Sequence, residues 1–282
     1  HPAERIPHAP YVRVGAVAVL VAVAGLLVVE GFWRVLGYQP SLTDNADLWA
    51  LHRTRVETAP PHSLVILGRS RIHQAFQGDV WREEAPRHPF IQLAVGGRHA
   101  LGTLRDLAAN TDYAGTVLVS LDAASLLPEL WEQQAGYVTH YRTGWDPLDV
   151  SSRRLASALQ ARLAFMAPGL LLQRVGPDLL RGAPPPQFLI THPDRTQTVY
   201  YERVDIAEFT ATQLGKLERN LENYRQLDGY AAWPSRLDTI EGWVAAIQER
   251  GGTVVFLRMP TTGEYAAREA QVFPRAKFWD RF

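Results

Sequence analysis

From Val14 to Val29 every position is Val, Ala, Leu or Gly, so sixteen uncharged apolar residues run between Arg13 and Glu30. A helix of a soluble domain keeps a polar face, and this stretch has none. A bilayer span needs roughly 17 to 25 residues. Adding Tyr11, Val12 and Gly31 to Trp33, with Arg13 and Glu30 snorkelling toward headgroups, predicts a transmembrane anchor over 11–33 behind an N-terminal tail of 1–10. Tyr11 at one end and Phe32, Trp33 and Tyr38 at the other supply interfacial aromatics for two membrane surfaces. The competing reading is a cleaved signal peptide. The apolar run outlasts the usual core of about 7 to 15 residues, and Gly31-Phe32-Trp33 is too bulky for a small-x-small cleavage site, so the anchor is expected to be retained. Arg5 and Arg13 precede the span and Arg34, Arg53 and Arg55 follow it, which leaves the positive-inside count undecided. A short tail before a single span reads as a signal anchor. That places the tail inside and the domain on the periplasmic face of a bacterial inner membrane.

Beyond the span the pattern changes. Residues 34–60 form a polar linker with Pro40, Ser41, Asp44 and Asn45, followed by a short helix near Leu48 to Val56 that Pro60-Pro61 ends. Four apolar runs then have the length and flanks of buried parallel strands: Ser63 to Leu67, Phe90 to Val95, Gly115 to Leu121 and Thr253 to Leu257, each expected to be central. Helical spacing marks Leu101 to Ala109 between the second and third. Ser235 to Arg250 precedes the fourth, with Ser235 as its cap and Gly251-Gly252 as its stop. Alternating strands and helices predict an α/β domain over 61–282, a three-layer parallel sheet of flavodoxin-like or SGNH-like build with right-handed crossovers. A largely helical insertion, with no strand of its own, is expected at about 126–230. Within it Leu155, Leu159, Leu163 and Met166 follow a helical period, with Arg153, Arg154 and Arg162 on the other side. That stripe is read as packing on the sheet domain, with a membrane or partner surface as the alternative. Pro184-Pro185-Pro186 marks a rigid turn, and Ile206, Phe209, Leu214, Leu217, Leu221 and Tyr224 a long returning helix.

Composition narrows the function classes. The 29 basic and 29 acidic side chains cancel, which removes the electrostatic signature of a nucleic-acid binder. With no cysteine there are no disulfides, no thiol nucleophile and no Cys-ligated zinc. There is no Gly-x-x-x-x-Gly-Lys, no Gly-x-Gly-x-x-Gly and no paired-His zinc spacing, so neither a cofactor nor a metal is expected. His192-Pro193-Asp194 reads as a turn.

Candidate chemistry lies where the first three strands end, because ligands of parallel sheets bind beyond the carboxyl ends of the strands. Gly68-Arg69-Ser70-Arg71-Ile72-His73 makes a sharp strand-to-helix turn that offers the Ser70 hydroxyl as a nucleophile or as a helix N-cap. Gly96-Gly97-Arg98-His99 can present backbone N–H groups, and Ser120-Leu121-Asp122 closes the third strand. Arg69, Arg71 and Arg98 can add an anion site to the turn amides. At these residues the chain resembles the SGNH (GDSL-like) hydrolase superfamily, including its membrane-anchored bacterial members related to the D-alanyl transfer and alginate acetylation proteins. The resemblance covers roughly Ser63 to Asp122 and Gly252 to Asp280. It implies Ser70 as the nucleophile and Gly96 or Gly97 in the oxyanion hole. The family's oxyanion Asn is replaced here by Ser120-Leu121-Asp122, and its late Asp-x-x-His does not follow Met259. General-base assistance is worth about 10² to 10⁴ in rate, so Ser70 without a base is nearly inert. His73, His99, His140 and His192 are the candidate substitutes, each more simply read as structural or superficial.

Two functions follow. The first is a non-catalytic accessory or scaffold subunit of a multi-subunit membrane complex, whether respiratory, photosynthetic or envelope-building. Its partners would be the lipid bilayer and other membrane subunits, met through the periplasmic domain and through the small face of Ala16, Ala18, Ala22, Ala24 and Gly25. The second is a serine esterase or O-acyltransferase acting on envelope polysaccharide. It needs a histidine from a longer native chain, and a start at His1 rather than Met fits such trimming.

Overall fold

The computed structural model describes residues 11–170, 175, 182 and 186–282. The turn expected at Pro184-Pro185-Pro186 falls largely outside them, at Pro184 and Pro185. The apolar run folds as one helix, α1 (Tyr11–Val35), of 25 residues. At 1.5 Å per residue it is about 38 Å long, more than the roughly 30 Å hydrocarbon core of a bilayer. Its most apolar window has a mean hydropathy of 2.6 and no residue buried against the rest of the chain.

The polar end of α1 departs from expectation. Glu30 does not snorkel outward. It is buried, accepting hydrogen bonds from the backbone N–H groups of Ala164 (3.0 Å) and Phe165 (3.1 Å) and pairing with Arg34 at 2.5 Å. Trp33 and Tyr38 are not lipid-facing aromatics either: they stack edge to face at 5.1 Å and pack on Ala164, Ala167 and Leu170. Phe32 alone of the three stays half exposed, at 49%. A charge and two large rings at a helix end are better satisfied by orphan amides and apolar neighbours than by water.

The linker helix is α2 (Ala46–Thr54), capped by Asn45, whose side chain accepts from Leu48 N–H. The sheet comprises β1 (Leu64–Leu67), β2 (Phe90–Gln92), β3 (Thr116–Leu121) and β4 (Thr253–Arg258), all parallel, in the spatial order β2-β1-β3-β4. The second run hydrogen-bonds beyond its strand, Leu93 N–H to Ile66 O and Val95 N–H to Gly68 O. Alternation divides the side chains between two apolar clusters. Val65, Leu67, Val117, Val119 and Leu121 face α5 (Leu101–Asn110) and α10 (Leu237–Gln248), where Trp131, Trp233 and Phe278 fill the core. Leu64, Ile66 and Phe90 face Ile72, Phe76 and Trp81 of α3 (Ser70–Ala75) and α4 (Gly78–Glu84) and the loop joining them. Neither β2 nor β4 is central: each closes one edge of the sheet, and on β4 Val255 is 43% exposed. Nor does Ser235 cap α10, since Arg236 holds that position and Ser235 Oγ bonds back to Ala232 O. Gly251, at φ 88°, and Gly252 stop the helix as expected, with their N–H groups on Gln248 O and Ile247 O.

The insertion supplies α6 (Ala135–Thr143), α7 (Pro147–Gln160), α8 (Ile206–Arg225) and the short α9 (Gly229–Ala232). α8 returns to the core through Leu217 and Leu221, as its spacing predicts. Two findings correct the reading of this region. A hairpin, β5 (Leu189–Thr191) with β6 (Gln197–Val199), forms where no strand is expected, because three-residue strands leave too short a run to recognise. And α7 turns its leucines outward: Leu155 is 64% exposed, whereas Arg153 is buried and donates to Thr43 O at 2.7 Å. A guanidinium with a carbonyl partner can be enclosed, and its position on the helix fixes which face turns in.

Candidate functional site

The chain leaves β1 for β2 on one side and returns to β3 on the other, so β1 and β3 flank a topological switch point, the place where parallel sheets characteristically bind ligands. Gly68 opens the first loop. A Cβ there would lie 2.4 Å from Ile72 Cγ2 and 2.9 Å from Ser120 Cβ, so only glycine passes between α3 and β3. The tight passage brings Arg69 and Arg71 over the end of β3. Arg69 meets Asp122 Oδ2 at 2.6 Å and Arg71 reaches the same oxygen at 3.5 Å.

Asp122 is itself fixed by its own loop. It caps the turn after β3 by accepting from Ser125 N–H (3.1 Å) and Ser125 Oγ–H (2.9 Å). Because the Ser125 proton goes to Asp122, its oxygen accepts from His99 Nδ1–H at 2.8 Å. His99 Nε2 is then an acceptor, facing the Tyr224 hydroxyl at 3.4 Å. The result is a buried chain from Tyr224 through His99 and Ser125 to Asp122, with His99 and Ser125 sealed from solvent. Burial pushes the His99 imidazole down to about 4, helped by Arg69 and Arg71 and opposed by Asp122. Burial pulls the Asp122 carboxyl upward, but His99, Arg69, Arg71 and the Ser125 hydroxyl outweigh it and hold it well below the ordinary range. With His99 neutral at pH 7, the two arginines supply the charge that keeps Asp122 ionised there. Burial also raises the phenols of Tyr224 and Tyr265, whose surroundings include the same arginines.

Ser70 is the first residue of α3 and Arg69 is its N-cap, so the serine is not a cap. Among the described residues no group hydrogen-bonds its hydroxyl. The loop after β2 lies against it: a Cβ on Gly96 would be 4.0 Å from Ser70 Cβ, and Gly97 turns that loop at φ 75°. Arg98 is directed elsewhere, donating to Gln133 O at 2.8 Å and lying over the Tyr137 ring. The structure thus brings together Arg69, Arg71, Ser70 and Gly96, and separates Arg98 from them. The candidate bases hold other partners: His73 donates to Arg195 O (2.7 Å), His140 meets Asp47 (2.8 Å) and His192 bonds Thr198 (2.8 Å). Arg71 also lines a groove of about 610 Å³ together with Gln74, His192, Thr198, Tyr201 and Met259. Among the described residues no cluster of three or more His, Asp or Glu is placed to hold a metal ion.

Sequence reading missed the buried relay, Tyr265, and Gln134, whose amide donates to Arg98 O at 3.1 Å and Gly68 O at 3.4 Å, clamping two of the loops. Only the Asp122-x-x-Ser125 spacing directly after a strand signals it locally, as a reciprocal cap. The fold and site define an α/β domain with a parallel sheet and an arginine-bridged carboxylate at its switch point, carried on an apolar N-terminal helix. No protein-family model matches the chain, and neither does any curated protein or solved structure.

Proposed function

We propose that the chain is a single-pass, membrane-anchored domain of three-layer, SGNH-like build on the periplasmic side of a bacterial inner membrane. It serves as a non-catalytic accessory or scaffold subunit of a multi-subunit membrane complex. One observation carries this reading: the Ser70 hydroxyl has no base among the described residues, and the nearby Asp122 is held by two arginines and a capped turn. The imidazole that Asp122 and Ser125 hold, His99, turns its Nε2 to Tyr224 and not to Ser70. The side chains of α1 that face away from the domain support lateral packing against other spans. Treating the full chain in membranes with a fluorophosphonate probe tests this, and no adduct at Ser70 is expected. Extraction in mild detergent should yield an assembly larger than one copy; recovery as a lone monomer, or labelling that Ser70→Ala abolishes, overturns the reading.

The position of Gly96 beside Ser70 favours a second reading, a serine esterase or O-acyltransferase on envelope polysaccharide, in which Gly96 or Gly97 N–H groups face an oxyanion. That reading requires a general base from outside the described residues.

A further inference from the structure

α7 begins at a capping box in which Asp146 accepts from Leu148 and Asp149 N–H groups, and its inner face is held by Arg153 and Gln160 on Thr43. Its outer face carries Leu148, Leu155 and Leu159, spaced seven and four apart on one side and exposed by 79%, 64% and 42%. Ser152 shares that face between Leu148 and Leu155, exposed Ser151 and Arg154 flank it, and no acidic side chain interrupts it. What this face meets follows from where the helix ends. Three residues past Leu159, the carbonyl of Arg162 accepts from Arg34 at 2.8 Å, and the amides of Ala164 and Phe165, two and three residues further on, are taken by Glu30. Trp33 and Tyr38 pack into the same joint. Glu30 is the first charged residue after the apolar run of α1, so the joint lies where a lipid core gives way to headgroups. Leu159 is within one helical turn of it.

We propose that α7 lies on the bilayer surface from which α1 emerges, with Leu148, Leu155 and Leu159 at the boundary of acyl chains and headgroups. Arg34, Arg154 and Arg162 then stand at headgroup level. This makes the insertion a second membrane contact, one that sets the tilt of the domain, and it rests on the reading of α1 as an anchor. The absence of cysteine gives a clean background for site-directed spin labels. The full chain is reconstituted in nanodiscs of equal parts phosphatidylcholine and phosphatidylglycerol, labelled singly at Leu155→Cys, Leu159→Cys, Asp79→Cys in α4 and Val21→Cys in α1. Collisions with oxygen are compared with collisions with a water-soluble nickel chelate. Labels at 155 and 159 should favour oxygen several-fold more than the label at 79, and a Leu155→Glu change should reverse that preference at 159. A label at 155 as open to the nickel chelate as the one at 79, with 21 still in lipid, overturns the surface contact alone. If 21 also lies in water, the anchor falls and the contact with it.

Discussion

Among the described residues, two of the arginine–aspartate centres, at Arg195 and at Asp122, behave differently. Arg195, at the turn of the β5–β6 hairpin, is wholly buried. It bonds Asp44 at 2.8 Å and donates to Gln92 O (2.7 Å) and Ala94 O (3.0 Å). It holds a left-handed φ of 63°, unusual for a side-chain-bearing residue, and its own carbonyl accepts from His73. The linker, the edge of the sheet and the hairpin are thereby clasped together. At the sheet ends, Arg69 and Arg71 share a single oxygen of Asp122 and keep side-chain exposures of 25% and 33%. The contrast separates a centre whose hydrogen-bonding capacity is spent on holding the fold from one whose arginines stay partly exposed, Arg71 beside a groove. Burial alone does not mark function.

Acid tests both centres at once and should have the largest effect. His52, His73 and His99 are pushed down to about 3, 4 and 4, with burial the main cause in each, and so are neutral in the folded chain at pH 7. Unfolded, they titrate near 6.5, so in acid the unfolded chain binds more protons than the folded one. Stability is therefore full above about pH 6.5 and is lost as pH falls toward 4, each histidine contributing up to about 1.4 kcal/mol per pH unit. Urea midpoints measured between pH 7 and 4.5 should fall steeply, and His99→Gln should remove only the share that belongs to the sheet-end centre. A flat profile would mean that these rings are not sealed.

Next in size, Arg195→Met should cost about 3 to 5 kcal/mol, because Asp44 is left half-buried without its partner and two buried carbonyls lose their donors. Adding Asp44→Asn should recover part of that loss in the same denaturation assay. A loss below about 1 kcal/mol would erase the distinction between the two centres. The smallest effects belong to the sheet-end centre. Asp122→Asn keeps a capping oxygen but loses the charge that two arginines share, and should cost about 1 to 3 kcal/mol. Arg71→Ala and Ser70→Ala, at a long ion pair and at a hydroxyl with no hydrogen-bond partner among the described residues, should stay within about 0.5 kcal/mol of the parent. A large loss from either would place it in the framework with Arg195.

Much of the frame is legible along the chain, for reasons that differ by element. β1 is buried along its whole length and β3 along most of its length, and both read as mainly apolar runs, whereas β4 reads the same way yet sits partly exposed at an edge, since a run reports apolarity and not neighbours. The stripe on α7 is legible as a stripe but not as inward or outward, because that choice depended on Arg153 finding Thr43 O. Ser70, Gly96 and Asp122 are legible as loop residues at strand ends. That Arg69 would take Asp122 while Arg98 turned to Gln133 is not, because three arginines in similar loops carry similar local signals.

What the order of residues determined by itself is whatever depends on near neighbours: an uncharged apolar helix, the strands and helices of the sheet domain, and the glycines that let the chain turn. Partnership across the fold was left to tertiary structure. Glu30 finds Ala164 134 positions away, Arg195 finds Asp44 across 151, and Arg69 finds Asp122 across 53. Such contacts form only once packing has brought the segments together and excluded water, which is what makes a buried charge choose one partner and leave another free.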